Sequence, residues 1–247
     1  MGRVPVGLQL YTVRDECQRD FRGTLEKVAR IGYAGVELAG TYGLEAEELR
    51  SILDDLGLEC FGSHCGERDA DKVAEYHRIL RCRYVGGPAL PPGDFPGDAE
   101  GVKGAAQYMD KVGADYLARG LHLYYHNHDH EFRQVEGRYI LDLFYENTDP
   151  ERVQAEIDVF WVAHAGVDPA EYLRKYPGRV PLIHVKDRDE SGTFTEVGNG
   201  TLDWDAIFAA AEAIGTHWYI VEQDTCQRPC LESAQISLNN LKARGIA

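Results

Sequence analysis

The run Tyr125-His126-Asn127-His128-Asp129-His130-Glu131-Phe132 puts three imidazoles and two carboxylates within six residues. These are the side chains from which first-row divalent ions take their ligands, although alternation along a strand turns only some of them to one side. Three further residues of the same kind each close an apolar run: Asp158 in EIDVFW, His184 in LIHVKD and Glu222 in IVEQD. Singly, each reads as a hydrogen-bonded polar group of a core. Together, successive segments ending in Glu or His, Asp, His and Glu describe one shared site. Neighbouring strands lie about 5 Å apart, so four such side chains can converge on one ion at about 2 Å each.

What must position these residues is a series of short apolar runs alternating with amphipathic segments. Strands are predicted over 4–11, 35–38, 59–64, 83–87, 121–128, 153–160, 180–186 and 218–222. Helices are predicted over 24–31, 44–56, 105–119 and 204–214, followed by Gly32, Gly57, Gly120 and Gly215. A helix that exits through glycine just before a strand is the connection expected of repeated β/α units. Eight units close most naturally into a (β/α)8 barrel, one domain over residues 1–247. No GxGxxG follows the first strand, so an open dinucleotide-binding sheet loses its usual support. The Pro- and Gly-rich stretch 86–101 and the stretch 188–203 are predicted as loops over the C-terminal face.

The chain has 247 residues, 44% of them hydrophobic, enough for a core that needs no disulfides. With 26 Lys+Arg against 41 Asp+Glu, its net charge of -15 disfavours nucleic acid and anionic membrane as partners. No apolar run approaches the roughly 18 residues of a membrane span and no secretory pattern opens the chain, so a cytoplasmic protein is expected. The six cysteines lack CxxC spacing and read as reduced thiols, with Cys226 and Cys230 the one pair near enough to consider for a disulfide.

Taken in order, the motifs resemble the xylose isomerase-like superfamily of sugar isomerases and epimerases, a metal-dependent branch of the TIM barrels. The resemblance is carried by GLQLYTVR (7–14), GYAGVEL (32–38), YHNHDHEF (125–132), DVFW (158–161), HVKD (184–187), EVGNGTLDW (196–204), VEQD (221–224) and the helix around 237–241. It implies one ligand from each of strands five to eight, carried over as Glu131, Asp158, His184 and Glu222. Many relatives place Glu directly at the end of strand five, where this chain has His126-Asn127-His128, which makes His128 the alternative ligand there. Such an oxygen-rich set suits Mn²⁺, with Mg²⁺, Co²⁺ or Zn²⁺ as other occupants. Relatives that epimerise free ketoses often carry a His three residues after the strand-six Asp; this chain has Trp161.

Acid–base work is therefore expected of His126 and His128 together with Lys186, whose amine should have a depressed pKa beside a divalent ion, or else pair with Asp187. Tyr11, Glu37, His64, Trp161 and Phe194 are the expected contacts of a sugar or keto-sugar. A divalent ion acidifies the C–H next to a carbonyl and favours an enediolate. That species supports epimerisation, isomerisation or loss of a β-leaving group. An isomerase or epimerase is the first expectation. A lyase or dehydratase acting on a keto-sugar, keto-glycoside or keto-inositol is the alternative. A phosphodiesterase like the apurinic-site endonucleases of the same superfamily is disfavoured by the net acidity, and a non-catalytic sugar-binding subunit is the rival of another class. No Gly-rich cradle at a helix start supports a phosphorylated substrate. A homo-oligomer is an open expectation.

Overall fold

The computed structural model describes residues 3–64, 66–67, 69–86 and 97–247. Eight parallel strands, β1 (Val6–Gln9), β2 (Gly35–Leu38), β3 (Glu59–His64), β4 (Tyr84–Gly86), β5 (His122–His126), β6 (Val153–Asp158), β7 (Leu182–Val185) and β8 (Trp218–Val221), close into a barrel in which β8 pairs with β1. Helices fill the connections, so this is the expected (β/α)8 barrel.

Local chemistry fixes where the helices start and stop. Asp20, Asp69, Asp98 and Asp203 each accept a backbone N–H in the first turn of the helix they precede. The helices Phe21–Ile31, Ala46–Leu56 and Trp204–Ile214 end on Gly32, Gly57 and Gly215 in the left-handed conformation that a side chain would strain. Part of the predicted loop 86–101 is helical, because Asp98 caps a helix that begins at Ala99; residues 87–96 of that stretch lie outside the described residues. The stretch 188–203 is a loop that contributes Phe194–Thr195 to a short hairpin with Asp187–Arg188.

The barrel lumen is plugged from below. Phe61, Tyr84, Tyr124, Leu182, Trp218 and Ile220 form a buried cluster, with Phe61 stacked on Trp218 at 4.2 Å. The Phe61 ring needs the missing side chain of Gly7, where a Cβ would lie 2.2 Å from it. A register shift between β2 and β3, with Val36 opposite Cys60 but Glu37 opposite Gly62, makes Phe61 the extra residue. This aromatic floor confines polar lumen residues to the C-terminal half of the barrel. Cys226 and Cys230 are free thiols. Among the described residues no helix is long and apolar enough to cross a membrane.

Candidate active site

Alternation along the strands selects which side chains enter the lumen. On β7 and its extension, His184 and Lys186 share a side, while Asp187 faces away and accepts the N–H groups of Gly198 (2.8 Å) and Gly200 (3.1 Å) and the Trp204 indole (2.7 Å). The expected alternative of a Lys186–Asp187 pair is thereby removed. On β6 the pair is Glu156 and Asp158; on β8 and beyond, Glu222 and Asp224.

Two polar layers result. In the upper one, one donor atom from each of His126, Asp158, His184 and Glu222 lies within 4.8 Å of all the others. His126 Nε2 is 3.3 Å from Asp158 Oδ2, and His184 Nδ1 is 2.9 Å from Glu222 Oε2. In the lower layer, His184 Nε2 lies 2.8 Å from Glu37 Oε2 and 3.2 Å from Glu156 Oε2. Glu37 also accepts from Gln9 (2.7 Å) and from the Tyr124 hydroxyl. His64 Nε2 meets the same two carboxylates, at 3.2 Å from Glu156 and 3.4 Å from Glu37. Oε1 of Glu156 is buried without a hydrogen-bond partner.

The structure does not bring Glu131 into this group. Beyond His126 the chain leaves the barrel and turns through the short helix His130–Phe132, and the buried Glu131 carboxylate is taken up locally. It accepts the Tyr125 hydroxyl at 2.6 Å and the His128 N–H at 2.8 Å, with His130 Nε2 at 3.2 Å. His126, expected to be a free base, stands where the strand-five ligand was expected.

Lys186 is enclosed by carboxylates. Its ammonium lies 2.9 Å from Asp158, 2.7 Å from Glu222 and 3.0 Å from Asp224. Burial alone would lower its pKa, but these three carboxylates outweigh burial and raise it. Conversely, burial would raise the Asp158 carboxyl, yet the Lys186 charge holds it down to about 2. Burial, reinforced by the charge on His184, pushes His126 down to about 3. For His184 burial is again opposed, here by Glu156 and Glu222, and the ring is held well above its ordinary range.

Above these layers opens a cavity of about 460 Å³, lined by Gln9, Tyr11, Ala39, His64, His126, His128, Trp161, Lys186, Glu222 and Asp224. Of the expected substrate contacts, Tyr11, His64 and Trp161 line it. Glu37 sits beneath, orienting His184. Phe194 stacks on Phe160 at 4.3 Å and backs the Trp161 ring at 5.7 Å. Gln9, Glu156 and Asp224 went unread in the sequence. Glu156 lies two residues before Asp158 on β6, a spacing that on a strand marks the same face.

The four donors fit a divalent ion. Two carboxylates and two imidazoles converge, and His184 is held from behind by a carboxylate, as metal-bound histidines usually are. Comparison with known proteins agrees with this architecture: the model of the xylose isomerase-like TIM barrel family matches residues 25–243. The chain belongs to that family. It is similar to an inosose dehydratase of Geobacillus kaustophilus (25% identity over 81% of this chain and 79% of the relative) and to one of Clostridium perfringens (28%, over 88% and 87%). A crystal structure of a sugar phosphate isomerase/epimerase from Parabacteroides distasonis superposes with a TM-score of 0.85 at 27% identity, covering 100% of this chain and 96% of that one. With relatives of this kind, the chain is an enzyme.

Proposed function

We propose that this enzyme removes the proton next to the carbonyl of a keto-sugar and completes the reaction by eliminating water or another β-leaving group. The observation that carries the reading is the convergence of His126, Asp158, His184 and Glu222 at the floor of a cavity whose walls hold further acid–base groups. These four residues would hold a divalent ion, with Mn²⁺ as the first choice and Co²⁺ or Zn²⁺ favoured over Mg²⁺ by two nitrogen donors. Such an ion polarises a carbonyl and so acidifies the adjacent C–H.

The protein's own groups divide the remaining work. His128 stands in the cavity wall and is the candidate to take the proton, whereas His64, where burial is outweighed by Glu37 and Glu156 and the pKa is raised to about 10, is the candidate to give one to the leaving group. Lys186, with its ammonium on Asp158, Glu222 and Asp224 and in the cavity wall, is placed to donate hydrogen bonds to substrate oxygen. Trp161 and Tyr11 supply ring faces on which the C–H surface of a sugar can stack. Elimination is favoured because the curated relatives are named dehydratases; isomerisation or epimerisation is the second reading, favoured by the name of the Parabacteroides structure.

Incubating Mn²⁺-loaded enzyme with an inosose or a keto-hexose in D₂O tests both. Deuterium at the carbon next to the carbonyl supports proton removal, and a conjugated enone absorbing in the ultraviolet supports elimination. Absence of both across such substrates would remove the reading.

A further inference from the structure

Beside the cavity over the donor cluster lies a second one of nearly equal size, about 450 Å³. It opens between the ends of β2 and β3 and the helix Ala70–Leu80, and His64 belongs to the walls of both. The segment after β2 is shared in the same way: Ala39 faces the first cavity, whereas Leu38, Gly40 and Thr41 line the second. A ligand held over the donor cluster thus has the second space directly past the imidazole.

We propose that this second cavity is a subsite for a flat ring attached to the sugar, so that the substrate is a glycoside with an aromatic or similarly flat aglycone and not a bare monosaccharide; the proposal rests on the keto-sugar reading above. The wall chemistry selects that occupant. Leu38 and Val73 are buried and apolar, and the Tyr76 ring adds a further carbon surface. The two buried polar side chains in the wall are already satisfied: Ser63 Oγ and His77 Nε2 share a hydrogen bond of 2.5 Å, and His77 Nδ1 donates to the Val73 carbonyl at 2.7 Å. With their polar atoms committed to each other, these groups offer an incoming ligand mainly van der Waals surface. A flat apolar ring gains from such a wall, whereas a second free polyol would leave its hydroxyls poorly matched there. Thr41, Glu67 and Lys72, the less buried polar residues of the wall, can meet a polar substituent on the ring.

The test is calorimetric titration of the 247-residue chain, with and without Mn²⁺, using phenyl β-glucoside and methyl β-glucoside, neither of which carries a reactive carbonyl. The phenyl compound is expected to bind about tenfold or more tightly, as burial of an aromatic ring implies. Thr41→Trp, which fills the second cavity, should bring the ratio of the two affinities down to about one, and Tyr76→Ala should reduce it in the same direction. Equal affinities in the unmodified chain, no measurable binding of either compound, or a ratio that both variants leave untouched would overturn the subsite. Turnover of the corresponding keto-glycosides separates the two ideas. A phenyl preference without turnover keeps the subsite and removes the keto-sugar chemistry; turnover without a phenyl preference does the reverse.

Discussion

His184 Nε2 lies 2.8 Å from Oε2 of Glu37, a residue 147 positions away in sequence, and this contact leaves Nδ1 as the nitrogen that faces Asp158 and Glu222. A carboxylate behind a ligating imidazole fixes the ring and raises its basicity, and removing it typically costs about 10- to 100-fold in metal affinity. Glu37→Gln keeps the shape and loses the charge. Its Mn²⁺ dissociation constant, measured by equilibrium dialysis, should rise by about that factor. An unchanged constant would show that Glu37 does not support a metal ligand.

The ligand set makes a second prediction, which sets His126 against Glu131. Asp158→Asn, Glu222→Gln and His126→Ala should each lose most bound Mn²⁺, seen as loss of the anomalous signal in crystals and of metal by elemental analysis. Glu131→Gln should keep its metal, because that carboxylate serves Tyr125 and the His128 backbone. Its cost should appear as stability, about 1–3 kcal/mol for hydrogen bonds to a buried charged acceptor. Full metal content in His126→Ala together with loss in Glu131→Gln would reverse the assignment.

Much of this was legible in the sequence, and the misses have physical causes. Gly35–Leu38 and Glu59–His64 form strands at their predicted bounds, since the apolar runs there end where pairing ends. The strand predicted over 121–128 stops at His126, and the backbone then bends into the turn that carries Glu131 away. Composition cannot reveal that bend, so the sequence offers Glu131, carried over from the family resemblance, or His128 as the strand-five ligand, while the imidazole that ends the strand is His126. The partners of Lys186 were hidden for a different reason: the sequence offers it the neighbouring Asp187, whereas Asp158 at the end of β6 and Glu222 and Asp224 just past β8 meet it only once the barrel closes. The helix Ala70–Leu80, which walls the second cavity, was missed because the face it buries carries only Val73 and Leu80 as apolar residues, with His77 between them.

Lys186 gives the third prediction. Lys186→Met removes the ammonium that neutralises three carboxylates and leaves them facing one another. Breaking a buried ion pair from one side typically costs about 3–5 kcal/mol. The variant should therefore melt at lower temperature than the unmodified chain in EDTA. Added Mn²⁺ should raise its melting temperature by more than it raises that of the unmodified chain, because the ion then supplies the missing positive charge. Equal melting in EDTA would mean that the ammonium does not hold these carboxylates together.

The last prediction concerns acid stability and rests on His77, away from the donor cluster. Burial lowers the pKa of its ring below the ordinary value of 6.5, against the smaller opposing effect of its bond to the Val73 carbonyl. The folded chain thus resists a proton that the unfolded chain accepts near pH 6.5. Stability from the neutral ring is complete above that pH and declines as pH falls toward the folded pKa, by at most about 1.4 kcal/mol per pH unit. Gln can bond to both Ser63 and the Val73 carbonyl without titrating. Urea unfolding in EDTA at pH 7.5 and pH 5.0 should then show a larger loss of stability for the unmodified chain than for His77→Gln. Parallel losses in the two proteins would mean that His77 takes up its proton equally well folded and unfolded, and that the Ser63–His77 bond does not hold a neutral imidazole against the end of β3.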